Sequence, residues 1–324
     1  MGRTRILELC KEGKLAQAAL SPYVLPYYDK VVFLDRGRGD DGNDGMDWGK
    51  AVRTINAAQL LFDAPAGLNT SVNAGCHFAI LYRGQTTTGR AFTAAEGQQI
   101  LSVQGVDLIG AMGPYGSGSH GSCFVYGTDP TGLKVTAHGC RVLGMKLYMI
   151  TENTETDPKL LTIQDGISMG LFDSWLIGAN SNGDVSGKST VGVRINGAEA
   201  LVMERNLMEY LKNGIVVSAG ASRYTHKSVV RDNVLMGCEN GVYFENAQAT
   251  ENLFEENRIL PKTTYGYTLT RGFHLAAVNP SGNTFRLNFV GHDTKANAYY
   301  KGSGTNYWDR NYFEGSGGTL YDGS

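Results

Sequence analysis

Residues 228–244 read Ser-Val-Val-Arg-Asp-Asn-Val-Leu-Met-Gly-Cys-Glu-Asn-Gly-Val-Tyr-Phe, and two features of this stretch recur along the chain. One is an asparagine with an apolar residue three positions before it and another two positions after it. It occurs five times, at Asn206, Asn233, Asn257, Asn288 and Asn311. The other is a glycine that opens a short run of alternating apolar residues. It occurs seven times, at Gly105, Gly132, Gly166, Gly192, Gly214, Gly241 and Gly272.

The two motifs interleave at intervals of 22–34 residues. Such a recurrence is typical of a solenoid, in which equivalent positions of successive repeats stack on one another. We therefore predict that the five asparagines form one column, at about 4.8 Å per rung. Met145 and Ser174 occupy the asparagine slot in the earlier repeats, so we expect the ladder only after about residue 190.

A second column distinguishes between kinds of solenoid. A leucine-rich repeat needs leucine five positions before its asparagine. This column instead becomes polar, and it consists of Leu201, Ser228, Asn252, Asn283 and Asn306. Asparagine tolerates left-handed backbone and bonds to nearby backbone groups, so a second asparagine column indicates a second corner of the coil. Apolar alternation on both sides of the corner predicts strands.

Taken together, these columns resemble the pectin-lyase-like proteins over roughly residues 100–324. The resemblance implies an all-β fold, a right-handed, single-stranded parallel β-helix. It implies little about chemistry.

A charged column lies two positions before the ladder asparagines. Its members alternate in sign from rung to rung, and they are Glu204, Arg231, Glu255, Arg286 and Asp309. We expect exposed pairs that contribute about 0.2–1 kcal/mol each and help to set the register of the rungs.

We divide the chain into a docking arm (residues 1–30), an entry cap with the first rungs (31–110) and the β-helix (111–324). In the cap we predict a helix over residues 48–62 with Asp47 as its N-cap. The sequence Asp41-Gly-Asn-Asp-Gly, followed by Thr54-Ile-Asn-Ala-Ala, resembles the opening of phage and bacterial β-helix proteins, where a helix plugs the first rung. We interpret residues 111–130 as a glycine-rich excursion from a rung corner.

In the arm, the sequence predicts a short helix within residues 5–20 and exposed apolar groups for contact with a partner. The alternative is a cap over the open end of the coil. The candidate interface residues are Ile6, Leu9, Tyr23, Tyr27 and Tyr28.

The net charge, the cysteines and the N-terminal residues argue against several classes of partner, bonding and targeting. The net charge of −2 argues against nucleic acid or an anionic membrane as a partner. Five scattered cysteines fit buried thiols better than a disulfide frame or a zinc site, and we predict no cofactor and no metal. The N-terminal residues lack the apolar run of a signal peptide, so we expect synthesis in a host cytoplasm without export.

Glycosidase chemistry requires two carboxylates flanking a groove. Glu204, Asp232 and Glu256 could supply them, but their place in ordered charged columns favours a structural role. We therefore predict no catalytic residue and keep these three as the fallback.

By resemblance to β-helical phage proteins, we expect a non-enzymatic virion protein of the capsid-decoration or spike type. It would form a homotrimer, bind a capsid shell and reside in the virion after synthesis in the host cytoplasm. The alternatives are a tailspike-type polysaccharide depolymerase, either a glycosidase or a lyase, and a carbohydrate-binding module. A host-surface polysaccharide would then be a further partner.

Overall fold

The chain forms a parallel β-helix. The computed structural model describes residues 4–11, 22–25, 27–62, 77–84, 92, 96–113, 123–126, 131–149, 158–178, 190–246, 248–262, 268–275, 280–292, 294–302, 304–314 and 320–322. Within these residues one continuous apolar core runs from Val32 to Phe313. The all-β solenoid predicted from the repeats is confirmed.

Two sheets build the coil. The first has ten parallel strands, one from each successive rung. They are Lys30–Asp35, Phe78–Arg83, Val106–Gly110, Arg141–Leu143, Gly170–Phe172, Val202–Glu204, Val229–Arg231, Leu253–Glu255, Thr284–Arg286 and Tyr307–Asp309.

The second sheet has seventeen strands and wraps around the other side of the core. They are Ile100–Leu101, Cys123–Tyr126, Thr131–Val135, Lys146–Met149, Lys159–Ile167, Trp175–Ile177, Val191–Glu199, Leu207–Ser218, Thr225–His226, Val234–Phe244, Ala249–Thr250, Arg258–Leu260, Arg271–His274, Phe289–Val290, Tyr299–Tyr300, Tyr312–Glu314 and Leu320–Asp322. All are parallel except the last, which pairs antiparallel with Tyr312–Glu314. The strand Cys123–Tyr126 corrects the expectation that residues 111–130 form only a loop, because its apolar run pairs with Lys146–Met149.

The asparagine ladder is confirmed. Each ladder Nδ2 donates to the Oδ1 of the next ladder asparagine at 2.9–3.0 Å, from Asn206 through Asn311. The backbone N–H of each of these asparagines donates to the same oxygen at 3.0–3.2 Å. The column begins one rung earlier than predicted, because the N–H of Ser174 donates to Asn206 Oδ1.

The residue before each ladder asparagine makes the corner. Arg205, Asp232, Glu256, Leu287 and Arg310 all have left-handed backbone, with φ between 46 and 56°. The ladder asparagines themselves are not among the residues with positive φ in the described part of the chain. Their side chains must point along the coil to bond to the next rung, so the preceding residue turns the chain, and the ladder offsets a strain of order 1 kcal/mol per rung.

The second polar column is also a ladder. Asn252 Nδ2 donates to Asn283 Oδ1 at 2.9 Å, and Asn283 Nδ2 donates to Asn306 Oδ1 at 3.1 Å. Ser228 extends it, since its N–H donates to Asn252 Oδ1. The second corner inferred from this column is therefore present.

Five of the seven glycine runs share one column: Gly192, Gly214, Gly241 and Gly272 stack directly on one another, and Leu160 lies between Gly192 and Gly132. A Cβ on Gly214 would lie 2.8 Å from the Gly241 carbonyl oxygen and 2.4 Å from the Leu235 side chain, so the close stacking requires glycine. Gly105 and Gly166 lie outside the column. Gly105 precedes a strand of the first sheet, and Gly166 pairs with Ala198 beyond the glycine positions.

The entry cap has the predicted location but not the predicted single helix. A 3₁₀ turn, Trp48–Lys50, is capped by Asp47, and the α-helix Ile55–Leu60 is capped by Thr54. Ile55 lies in the continuous core of the coil together with Ala58 and Phe62. Asp41 ties the two segments together, because it accepts the N–H of Arg53 and that of Thr54.

The N-terminal arm lies on the outer face of the first sheet. It contains the helix Ile6–Lys11 and an antiparallel pair of Thr4–Arg5 with Tyr27–Tyr28. The outward side chains beneath the arm are apolar, and they form a second cluster with Leu9 and Tyr28. These side chains are Phe33, Leu81, Ile109, Leu143 and Phe172.

The short helix Lys295–Ala298 precedes the strand Tyr299–Tyr300. None of the helices in the described part of the chain is long and apolar enough to span a membrane.

Candidate functional site

The charged column occupies the same outward position of the first sheet as the apolar side chains beneath the arm, in the rungs that follow them. Phe172 pairs in register with Glu204, and Glu204 then pairs with Arg231. The register continues through Glu255 and Arg286 to Asp309. Arg231 Nη2 lies 2.8 Å from Glu204 Oε2, and Arg286 Nε lies 2.5 Å from Glu255 Oε1. The predicted stacking of alternating charges is therefore present.

Glu204 is not the exposed carboxylate that the sequence predicts, because it is only 5% exposed. The Tyr23 hydroxyl donates to Glu204 Oε2, and Arg205 lies 2.8 Å from Oε1. Burial acts to raise the pKa of Glu204, but the hydrogen bonds from Tyr23 and Arg231 outweigh it, and the pKa is lowered. Glu204 is thus held ionised under a lid formed by the arm.

Asp232 and Glu256 occupy a different column from Glu204. They lie at adjacent corners, each one residue before a ladder asparagine, and both are exposed. The backbone N–H of Asp232 donates to the Glu255 carbonyl oxygen at 3.2 Å. The three fallback carboxylates therefore do not line one groove: two are at the surface and the third is covered.

The outward face of the glycine-initiated strands carries a different set of side chains, which we call the aromatic–polar strip. In register along the coil these are Arg194, Val216, Tyr243, His274 and Tyr300. Tyr243 and Tyr300 flank His274, with ring centroids 5.0 and 5.2 Å away. The Arg271 guanidinium lies 4.5 Å from the centre of the Tyr300 ring.

His274 is the chemically unusual member of the strip. Its Nδ1 is buried and has no hydrogen-bond partner in the described part of the chain. Burial, and then the charge of Arg271, lowers its pKa below the ordinary value of 6.5. The imidazole is therefore neutral at neutral pH and has a free lone pair or a free N–H.

The sequence carries a signal for the strip, because four of its five members occupy the third position of a glycine run. Gly192-Val-Arg194, Gly241-Val-Tyr243 and Gly272-Phe-His274 show this directly. The glycine motif predicts the strands, whereas the strip becomes visible only when the third position of each run is compared from rung to rung.

The candidate interface residues are less exposed than predicted. Leu9 and Tyr28 are 6% and 1% exposed, and they pack against the coil of their own chain. The Tyr28 hydroxyl donates to Asp107. Tyr23 packs on Phe172, with ring centroids 4.0 Å apart, and Tyr27 is 45% exposed. The Ile6 side chain lies outside the described residues.

No group of three or more His, Cys, Asp or Glu side chains converges as metal ligands within the described ranges. Cys140 and Cys238 are buried free thiols, and burial raises the pKa of each to about 12, so neither is a thiolate at neutral pH.

No protein-family model matches the sequence, and no curated protein is significantly similar to it. Solved structures do share the fold. One is the GH136 lacto-N-biosidase from Eubacterium ramulus, with a TM-score of 0.50 and 11% identity over 88% of this chain. Another is the thermostable pectate lyase PL 47, with a TM-score of 0.50 and 9% identity over 92% of this chain. The match spans 55% of the lacto-N-biosidase and 75% of the pectate lyase. At these identities the likeness establishes the pectate-lyase-like β-helix fold alone.

Proposed function

We propose that the protein is a non-enzymatic structural subunit of a bacteriophage particle, a homotrimer that decorates the capsid or forms a spike. The observation that carries the proposal is the pairing of Glu204 and Glu255 with arginines of adjacent rungs. A carboxylate that serves as a catalytic acid or base must reach a substrate, whereas these carboxylates bind the rungs to one another.

Two further features support the virion role. The sequence of the entry cap, from Asp41 to the helix Ile55–Leu60, resembles the openings of phage and bacterial β-helix proteins. Exposed tyrosines in the last rungs suit an interface between copies of the chain. Tyr300, Tyr307 and Tyr312 are 38%, 65% and 41% exposed.

The test is the location and stoichiometry of the protein. Particles are purified on a density gradient from a lysate of the host that carries the gene, and their proteins are quantified by mass spectrometry. The isolated protein is studied by sedimentation equilibrium. We expect the chain in the particle fraction and a trimer in solution. Its absence from particles, or a monomer at all concentrations, would contradict the proposal.

A second candidate function is polysaccharide cleavage by elimination, and the position of the His274 imidazole between the rings of Tyr243 and Tyr300 favours it. In this reaction a base removes the proton from the carbon next to a uronate carboxylate. The C–O bond to the neighbouring sugar then breaks, leaving a double bond. A neutral imidazole beside the Arg271 cation offers the base and the positive charge on one surface.

Cleavage is tested by incubating the protein with polygalacturonate, alginate and hyaluronan and recording the ultraviolet absorbance of unsaturated products. A lyase would show this signal in the wild type and lose it in His274→Asn. The structural proposal expects no signal from either protein. Because the pKa of His274 is lowered, lyase activity would persist below pH 6.5, where an ordinary histidine is protonated.

A further inference from the structure

The turn between the strands Leu207–Ser218 and Thr225–His226 forms one wall of a depression in the surface. The depression holds about 570 Å³, within the range typical of small-molecule sites. Its lining combines backbone of Gly220 and Ala221 with the polar or aromatic residues Ser222, Arg223, Tyr224, His226 and Gln248.

The turn is held firmly from below. Asp165 accepts the N–H of Ser222 on its Oδ1 at 3.1 Å and the Nε–H of Arg223 on its carbonyl oxygen at 3.1 Å. Gly197, with φ +77°, allows the turn to lie directly upon it. A Cβ at this position would be 2.4 Å from the Arg223 carbonyl oxygen and 2.6 Å from the Gly220 nitrogen. The depression is therefore preformed in the folded chain.

The charges of the lining are already balanced. Glu199 Oε2 lies 3.6 Å from Arg223 Nη1, and its Oε1 lies 3.5 Å from His226 Nε2. An anionic ligand would have to compete with Glu199 for the Arg223 guanidinium. A neutral ligand rich in hydroxyl groups would instead accept hydrogen bonds from Arg223 and Gln248 without displacing this pair.

Tyr224 supplies an apolar surface next to these polar groups. It is 56% exposed, although it lies within a turn that is otherwise anchored. A tyrosine ring at the edge of a polar depression presents a flat apolar face on which the C–H face of a pyranose can pack. Neutral saccharides combine such a face with a ring of hydroxyl groups.

We propose that this depression is a binding site for a neutral saccharide unit, with Tyr224 as the stacking platform and Arg223, His226 and Gln248 as hydroxyl ligands. The site adds a glycan contact to the structural role and does not depend on it, since binding is measured on the isolated protein and incorporation on particles.

The test uses the full chain and four neutral hexasaccharides, namely maltohexaose, cellohexaose, mannohexaose and xylohexaose, with hexagalacturonate as the charged comparator. Binding is measured by saturation-transfer NMR and by calorimetry. We expect at least one neutral oligosaccharide to bind and Tyr224→Ala to weaken it about tenfold or more. Met46→Ala, which removes an apolar side chain of similar exposure (61%) from the entry cap, should leave the affinity unchanged.

A second pair of variants tests the preformed turn. Gly197→Ala pushes the turn away and should abolish binding. Gly97→Ala, at a glycine with similar φ but with nothing within 4 Å of the added Cβ, should retain it. The proposal is overturned if no neutral hexasaccharide binds, if binding survives Tyr224→Ala, or if hexagalacturonate binds more tightly than every neutral probe.

Discussion

Asn257 is bonded to the rungs on both sides of its own. Its Nδ2 donates to Asn288 Oδ1 at 3.0 Å and to the Val230 carbonyl oxygen at 2.8 Å, and its Oδ1 accepts from the side chain and backbone of Asn233. Its side chain is fully buried, so water cannot replace these partners. Ladder asparagines therefore satisfy the backbone groups that the corner leaves without sheet partners.

Asn257→Ala should lower the free energy of unfolding by about 3–5 kcal/mol, because it leaves several buried polar groups unsatisfied. Asn257→Ser should cost less. Ser174 occupies the same column naturally, accepting from the Met145 N–H and donating to the Phe172 carbonyl oxygen. Urea unfolding measures both variants, and a loss below about 1 kcal/mol in Asn257→Ala would show that the ladder bonds contribute little.

Neutralising different carboxylates of the charged column should lower the free energy of unfolding by different amounts. Glu204 is buried with three partners, so Glu204→Gln should cost about 2 kcal/mol, whereas Glu255→Gln should cost about 1 kcal/mol or less. Solvent screens both inter-rung pairs, since Arg231 and Arg286 are each 43% exposed. The larger cost at Glu204 comes from its additional bonds to Tyr23 and Arg205.

The pH dependence gives a second measurement of Glu204. Its pKa is lowered by folding, so its contribution is fully present above the ordinary glutamate value of 4.5 and is lost as the pH falls through the folded-state value. The stability difference between the wild type and Glu204→Gln should therefore shrink in acid. A difference that is constant from neutral to acid pH would contradict this assignment.

At the scale of elements, the N-terminal arm and the first sheet depend on one another. The apolar outward side chains of the early rungs, such as Phe33 and Ile109, lie under the arm. The charged column begins at Glu204, which accepts a hydrogen bond from Tyr23 at the edge of the covered area. The arm thus covers a surface of its own chain that would otherwise be exposed. Whether its exposed residue Tyr27 contacts a partner stays a prediction.

Deleting residues 1–29 should therefore destabilise the coil and promote aggregation. The deletion exposes five large apolar side chains, each worth about 1.5–3 kcal/mol when fully buried. Binding of a hydrophobic dye and light scattering measure the effect.

Tyr23→Phe is the matched control for the deletion. It keeps the ring on Phe172 and removes only the hydroxyl that donates to Glu204. This variant should remain monodisperse with a modest loss of stability. A deletion protein that is as stable and soluble as the wild type would show that the arm is not a structural cover.

At the scale of the whole molecule, the coil is quasi-one-dimensional, since each rung contacts mainly its neighbours. The last rung is attached by the stacking of Trp308 on Phe285, with centroids 4.2 Å apart, and by the bond from Asn288 to Asn311. The Tyr299 hydroxyl adds a bond of 2.7 Å to the Tyr312 carbonyl oxygen.

Removing residues 303–324 should lower the melting temperature and expose Phe285 while leaving the earlier rungs folded. Hydrogen exchange measured by mass spectrometry should show lost protection near residues 284–300 and unchanged protection over residues 190–246. A uniform loss of protection along the chain would show that the coil unfolds as one cooperative unit.

The repeating columns of the sequence were sufficient to predict the coil. An asparagine or glycine at a fixed position in every rung meets a local requirement, either a buried polar corner or a close approach of backbones. Because the rungs stack, the same requirement recurs at regular intervals along the sequence. The spacing of the repeats likewise predicts that Glu204, Arg231 and Glu255 lie in one column. It did not show that Glu204 is covered, because the alternation of charge carries no information about what packs on top.

Contacts outside the repeat were decided only by the tertiary structure. The arm reaches Glu204 from residue 23, across 181 positions of sequence, and no periodicity connects the two. The depression beside Tyr224 likewise depends on a turn of one rung settling on Gly197 of the rung before it. A repeat specifies what each rung shares with its neighbours. Covers and pockets arise where a rung differs from its neighbours, and their geometry depends on packing between segments that are distant in sequence.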